Sequence, residues 1–296
     1  MVDNWLVVFI IDDLKTIPAS FSVVDVTFYT FDKSRCSNWK LLQSPRYQKT
    51  VVPKFLDKNC ACTQVEADTK DEAFEKGEQK IEAALNILRA FKSGFELRRP
   101  LNGLVRNETT GEEGLTLQAE WYRDRCAAWN YELSPDELKK LSKVTPALDR
   151  VLAGSAGSVM RKRVFRALRW AAMATQETEK ADKILKYTTA IECLFINEKV
   201  GKAKLAGERV ATFWVDDDAK RDAIFRSINR LYKLRNNIVH GEDFLVTNTD
   251  ESAMDFVVRE LVFAVAEEVS TNNLWSFDDF LSRLNTLKKT WKPPKA

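Results

Sequence analysis

The chain carries one histidine in 296 residues, His240. Imidazole is the only side chain that ordinarily trades protons near neutral pH, so a single copy has one place for such chemistry. A multi-histidine metal site is excluded by the same count. Cysteine is scarce and odd in number, at positions 36, 60, 62, 126 and 193. Cys60-Ala61-Cys62 has the alternation of a strand and lacks the Cys-x-x-Cys spacing of a zinc or redox site. These thiols read as reduced and structural, in a cytoplasmic protein with no metal and no cofactor. Long apolar runs are missing too. The longest, residues 5–11, falls far short of a membrane span and reads as a strand. No basic segment precedes an apolar one at the start, so no signal peptide is read and no membrane partner is expected. Strong charge of one sign is also lacking. Residues 134–296 hold 28 Lys and Arg against 23 Asp and Glu, while residues 1–133 hold 18 against 20. That mild asymmetry permits a polyanion partner for the second part without requiring one.

What is present suits a globular chain long enough for two domains. Apolar residues make up 45% and charged residues 30%, with eight Trp and seventeen Phe to build cores. The first part mixes strand and helix signals. Residues 5–11 and 23–31 are rich in Val, Ile, Phe and Thr. Residues 47–55 and 60–67 read as further strands, with Pro53 confining the first of these to an edge. Residues 71–92 place Phe74, Ile81, Ala84, Leu85, Leu88 and Phe91 at helical spacing. Residues 101–105 and 115–122 read as strands flanking a polar turn region. The sum is an α+β domain over residues 1–133.

The character changes at Ser134-Pro135-Asp136-Glu137. A serine cap, a proline at the first helical position and a glutamate at the third form a helix start. Helical patterns then follow at 159–174, 181–197, 203–214, 219–239, 254–269 and 277–288, with a Gly-Ser break at 154–158. Ser276 and Asp279 supply another start signal. The expectation is an all-α helical bundle over residues 134–290, then a tail over 291–296, disordered from Lys292 on.

One helix of that bundle ends in Leu234-Arg235-Asn236-Asn237-Ile238-Val239-His240-Gly241. Its apolar stripe is Ile224, Ile228, Leu231, Leu234 and Ile238. Arg235 and His240 stand five residues apart, about 140° around the helix. Asn236 and His240 are four apart and therefore neighbours. Gly241 is a natural C-terminal cap, and the dipole there favours imidazolium. A fixed cation, an amide and a titratable imidazole can together serve one phosphodiester, which needs charge neutralisation and proton transfer. The plainer reading is that His240 only caps loose carbonyls.

The segment from Leu231 to Gly241 resembles the signature of HEPN domains, Arg-x4–6-His with a polar residue after the arginine. Tyr187-Thr188-Thr189-Ala190-Ile191-Glu192-Cys193-Leu194-Phe195 resembles a helix of the Apea-like branch of that superfamily. Lys204-Leu205-Ala206-Gly207-Glu208-Arg209-Val210-Ala211 is similar to the short helix that follows it there. The resemblance covers roughly residues 140–290 and does not reach residues 1–130. It implies a helical bundle that pairs as a homodimer, with the Arg–His helix ends of two copies meeting. It implies a metal-independent endoribonuclease of phage defence or of the toxin type. RNA, tRNA among its forms, is the implied substrate, and its 2′-hydroxyl attacks the adjacent phosphate. Arg235 would then stabilise phosphate charge, His240 would move protons, and Asn236 would orient the phosphate or the imidazole.

Other candidates carry two readings each. Lys162, Arg166 and Arg169 share one helix face, suited to an RNA backbone or merely solvated. Glu192 lies beside Ile191, Leu194 and Phe195, so it pairs with Arg235 or another bundle cation, or else faces solvent. Asp216-Asp217-Asp218 begins a helix or binds metal, the first reading being favoured. Trp214 reads as core or dimer interface. The residues before 134 suggest a sensor or regulatory part, and a separate regulatory protein or antitoxin is an alternative control. The rival to catalysis is a HEPN module that only binds RNA, nucleotide or a protein partner.

Overall fold

The computed structural model describes residues 2–11, 14, 20–92, 97, 100, 102–117, 132–153, 158–242, 245–288 and 290–294. An N-terminal antiparallel sheet region is followed by helices, and the chain divides into two compact units. Unit 1 comprises residues 1–85 and 95–145, and unit 2 comprises residues 86–94 and 146–296. Two of the three boundaries, after residues 85 and 145, fall inside helices.

Unit 1 is built on six strands: β1 (Asp3–Ile10), β2 (Phe21–Val23), β3 (Val26–Phe31), β4 (Lys58–Ala67), β5 (Gly103–Asn107) and β6 (Glu113–Thr116). Their order is β2-β3-β4-β1-β5-β6, with every pairing antiparallel. β1 is central, pairing Val8 with Cys62 on one side and with Leu104 on the other. It is covered on both faces, which is why its apolar run does not alternate. Val8 and Ile10 face a core with Phe31, Trp39, Leu42 and Phe55. Val7 meets the long helix α5 (Lys70–Phe91), where Gly77 leaves the room: a Cβ there would sit 2.5 Å from Val7 Cγ1.

Four expectations for unit 1 are corrected. Residues 47–55 are not an edge strand. They belong to a string of short helices: α1 (Lys33–Ser37), α2 (Lys40–Gln43), α3 (Pro45–Thr50) and α4 (Val52–Phe55). Pro45 and Pro53 stand in the first turns of the last two, where a missing N–H costs nothing. Val51 and Phe55, four apart, turn together into the core beside the sheet. The run 23–31 is a hairpin of β2 and β3, turning at Val24 with φ 55°. The strand expected at 101–105 is shifted to β5, and that at 115–122 corresponds to β6 for its first two residues. Leu101, residues 118–122 and Cys126 lie outside the described residues, as does most of the break at 154–158.

Unit 2 contains the last turns of α5 and of α6 (Pro135–Ala153). It continues with α7 (Val159–Thr175), α8 (Lys180–Phe195), α9 (Lys202–Trp214), α10 (Asp218–His240), α11 (Asn248–Asn272) and α12 (Phe277–Lys288). α8 is the hub, packing on α7, α9, α10 and α11. Its buried side chains include Ile184, Tyr187, Ile191, Leu194 and Phe195. Tyr187 donates to Asp255 of α11 at 2.7 Å, and Asp255 also accepts from Arg259. α9 and α10 approach closely at Gly207, where a Cβ would meet Asn229 Nδ2 at 2.8 Å and Phe225 Cδ2 at 3.1 Å. α11 starts six residues before the pattern at Met254, on a capping box between Thr247 and Asp250. No helix among the described residues is long and apolar enough to cross a membrane.

Candidate active site

α10 carries the candidate trio, and its two ends are held differently. At the start, Asp217 caps the helix by accepting from the Lys220 amide at 2.9 Å. Arg221 is buried and donates to Val215 O, to Leu287 O of α12 and to Asp218. The aspartate run is thus spent on starting the helix and neutralising Arg221. Among the described residues no group of three or more His, Cys, Asp or Glu is placed to hold a metal ion.

The buried face of α10 is Arg221, Phe225, Ile228, Leu231 and Tyr232. The expected stripe is rotated toward Phe225 and Tyr232, because the larger rings take the deepest positions. Ile224, Leu234 and Ile238 are only half-buried, and Val239 is 50% exposed. The last turn and a half therefore leaves the core. There Arg235 is half-buried, while Asn236 and His240 are exposed. The helix stops at Gly241, φ 67°, with Glu242 N–H donating to Asn237 O at 3.0 Å and Gly241 N–H to Ile238 O at 3.3 Å. Glycine is suited to this left-handed stop, which ties off the carbonyls of Asn237 and Ile238.

The structure brings Arg235 and Asn236 together: Arg235 Nη1 donates to Asn236 Oδ1 at 3.2 Å. His240 lies one turn beyond Asn236, at the negative end of the helix dipole. Among the described residues no hydrogen bond ties its ring. Beneath Arg235, one turn back, the Tyr232 hydroxyl is buried with no hydrogen-bond partner among the described residues. Burial pushes that phenol far above its ordinary range, the Glu192 charge adds to the push, and Arg235 opposes it. Arg235 and Glu192 therefore both bear on the same buried oxygen.

Glu192 is paired with Lys202 of α9, Nζ to Oε2 at 2.6 Å, and not with Arg235. This settles its expected pairing on another bundle cation. Next to it, burial raises the Cys193 thiol while Arg166 and Arg163 oppose. Arg166 of α7 thus lies near the same stretch of α8 that borders Tyr232. Lys162, Arg166 and Arg169 are all exposed on α7, with the exposed Phe165 among them. Arg163, one turn before Arg166, is only half-exposed and is tied down. It donates to Cys193 O and Ile196 O at the end of α8, and its guanidinium sits 3.7 Å over the Phe277 ring.

Three features were not foreseen. Tyr232 was readable as an aromatic three residues before Arg235, yet nothing in the sequence signals an unpartnered hydroxyl. Lys202 as the partner of Glu192 depends on how α8 and α9 cross. Arg209 closes the end of α8 by donating to Phe195 O and, with both Nη atoms, to Glu198. Trp214 is half-buried and stacks on Phe256, ring centroids 6.2 Å apart. Comparison of the chain with models of known protein families, with curated proteins and with solved structures finds no match.

Proposed function

We propose that the chain is a HEPN-type endoribonuclease that cleaves RNA by 2′-hydroxyl attack, as a homodimer and without a metal cofactor. The observation that carries this reading is the Arg235–Asn236 pair beside His240 on an exposed helix end. In the reaction the 2′-oxygen bonds to phosphorus and loses its proton to a base. The bond from phosphorus to the 5′-oxygen breaks, and an acid protonates the leaving oxygen. The products are a 2′,3′-cyclic phosphate and a 5′-hydroxyl. Arg235 stabilises charge on the non-bridging oxygens, and Asn236 holds the guanidinium in place. One neutral imidazole and one imidazolium are needed, and one copy owns a single histidine. Two copies supply both. The exposed Val239 beside His240 and Leu245 just past the cap, 79% exposed, give this end apolar surface for a second copy to cover. Exposed Lys162, Arg166 and Arg169 offer phosphate contacts. Defence against phage or toxin action is the setting in which such an activity would serve.

The test is incubation of the purified full chain with total RNA and with tRNA in EDTA, followed by end-group analysis. Cyclic phosphate ends that disappear in His240→Ala, with a rate loss of about 10²–10⁴-fold, are expected. Arg235→Ala should lose about 10²–10³-fold. RNA binding without cleavage by the wild type would leave the non-catalytic reading in its place.

A further inference from the structure

The near-neutral sum of charge over residues 1–133 hides a separation. Residues 33–56, the string α1–α4, hold six Lys and Arg and no Asp or Glu. The rest of residues 1–133 hold 12 Lys and Arg against 20 Asp and Glu. The sheet keeps the two signs apart. α1–α4 cover the face that carries Val8 and Ile10. α5, with Asp71, Glu72, Glu75, Glu78 and Glu82, meets Val7 on the opposite face. Two carboxylates that border the basic string are spent on backbone amides. Asp32 caps α1 by accepting from the Arg35 amide, and Glu113 accepts from the Lys40 amide at 3.0 Å. Asp57 stands exposed just beyond α4. Arg106 adds a further cation from β5, donating to Asn38 O at 2.7 Å.

Lys33, Arg35, Lys40, Arg46 and Lys49 are exposed and form no ion pair with a described residue. Two of them are held without being neutralised. The Arg35 guanidinium lies 3.9 Å over the Tyr29 ring, and that of Arg46 lies 5.8 Å from the Tyr47 ring centre. Such placement reduces the freedom a cation must lose on binding. The other exposed residues of 33–56 are Ser, Asn, Gln, Thr and Pro, with no large apolar side chain among them. That composition decides between partners. A lipid surface needs apolar groups that enter the acyl boundary, and a stable protein interface needs an apolar centre. A phosphodiester backbone needs neither. Its contacts come from Lys, Arg and small polar side chains, through water as well as directly. The Asn38 and Gln48 side-chain amides have no hydrogen-bond partner among the described residues. Each offers both donors and an acceptor, which suits the ribose 2′-hydroxyl that RNA has and DNA lacks.

We propose that the α1–α4 face of unit 1 binds RNA along its sugar–phosphate backbone. The five exposed cations contact phosphates, while Asn38 and Gln48 bond to ribose hydroxyls. Contacts of this kind position the strand and carry no base-sequence information. The inference rests on unit 1 alone and does not depend on cleavage at the end of α10.

Fluorescence anisotropy with a short fluorescein-labelled single-stranded RNA, repeated over a range of salt concentrations, tests it. The full chain carries His240→Ala, which keeps the probe intact. Saturable binding that weakens with salt is expected, tighter than to DNA of the same sequence. Lys40→Gln, Arg46→Gln and Lys49→Gln together should weaken it about tenfold or more and reduce the salt slope by about 2, at about 0.7 per phosphate contact. All three side chains are exposed, so the fold is kept, and thermal unfolding checks it. Removing the same charge from α5 on the opposite face, by Lys70→Gln, Lys76→Gln and Lys80→Gln, should change affinity far less. Absence of saturable binding, unchanged affinity in the first variant, equal losses in both, or tighter binding of DNA overturns the proposal. So does co-sedimentation with phosphatidylserine vesicles that needs Lys40, Arg46 and Lys49 while RNA affinity does not, which would make the face a membrane contact instead.

Discussion

At the residue scale, Tyr232 carries a cost that no hydrogen bond from a described residue offsets. Its ring fills the core under Arg235, while its hydroxyl is buried without a partner. Removing only that oxygen should relieve a desolvation penalty. Tyr232→Phe is expected to leave stability unchanged or to raise it by about 1 kcal/mol, read from urea unfolding. A loss of stability by a similar amount would mean that the hydroxyl has a partner after all. Glu198 behaves in the opposite sense. Hydrogen bonds from Arg209 hold its carboxyl at about 2, below its ordinary 4.5. A depressed carboxyl contributes its stability above the unfolded value and loses it as pH falls through the folded one. Glu198→Gln should therefore flatten the dependence of stability on pH between about 4.5 and 2, with little change near neutrality beyond the lost charge pair. An unchanged acid limb would remove Glu198 from the acid response. The side chain is 37% exposed, so solvent screening keeps this effect modest.

At the element scale, α9 and α10 owe their closeness to one missing Cβ. Gly207→Ala would put a carbon 2.8 Å from Asn229 Nδ2 and 3.2 Å from Phe225 O. The amide can swing away but the carbonyl belongs to the α10 backbone. The helices must part slightly, and overpacking of this kind costs about 1–3 kcal/mol. Because α10 carries the candidate site, RNA cleavage should fall along with stability in thermal unfolding. A neutral Gly207→Ala would show that the contact yields freely. Sequence patterns read the elements well where one physical signal dominates. The Ser134–Glu137 start is a reciprocal cap, each side chain bonded to the other residue's amide. The Ser276 cap over Asp279 is present too, at 3.1 Å. Residues 33–55 were illegible because Tyr47, Val51 and Phe55 fit a helix face and a two-sided apolar segment equally, and only packing against the sheet decides. Arg235, Asn236 and His240 were legible because they share one helix, where spacing sets neighbours. The Glu192–Lys202 pair was not, since it joins two helices whose crossing no local pattern encodes.

At the scale of the whole molecule, the helical unit is not simply the chain after residue 134. It includes residues 86–94, among them the last turns of α5 up to Phe91. Phe91 packs edge-on against Phe263, centroids 5.9 Å apart, and its carbonyl accepts from Arg259 at 3.1 Å. A protein begun at residue 134 would lose an aromatic contact and strand a guanidinium N–H. It should therefore unfold at lower temperature than one that keeps these turns.

The proposed reaction makes a further demand on the assembled molecule. If the acid and the base are the two His240 rings of a dimer, a copy lacking histidine disables its partner as well. Wild-type chain and His240→Ala chain, co-expressed at varied ratios and purified together, should then cleave RNA in proportion to the square of the wild-type fraction. Only homodimers of wild type hold both imidazoles. If each copy acts alone, activity should instead follow the wild-type fraction itself. Refolding the same mixtures from denaturant guards against pairing fixed during synthesis. A linear dependence in both preparations, with the dimer verified by light scattering, would refute the two-histidine mechanism. The proton donor would then have to be another group, and Lys233, exposed two turns back on the same face of α10, would be the first to replace.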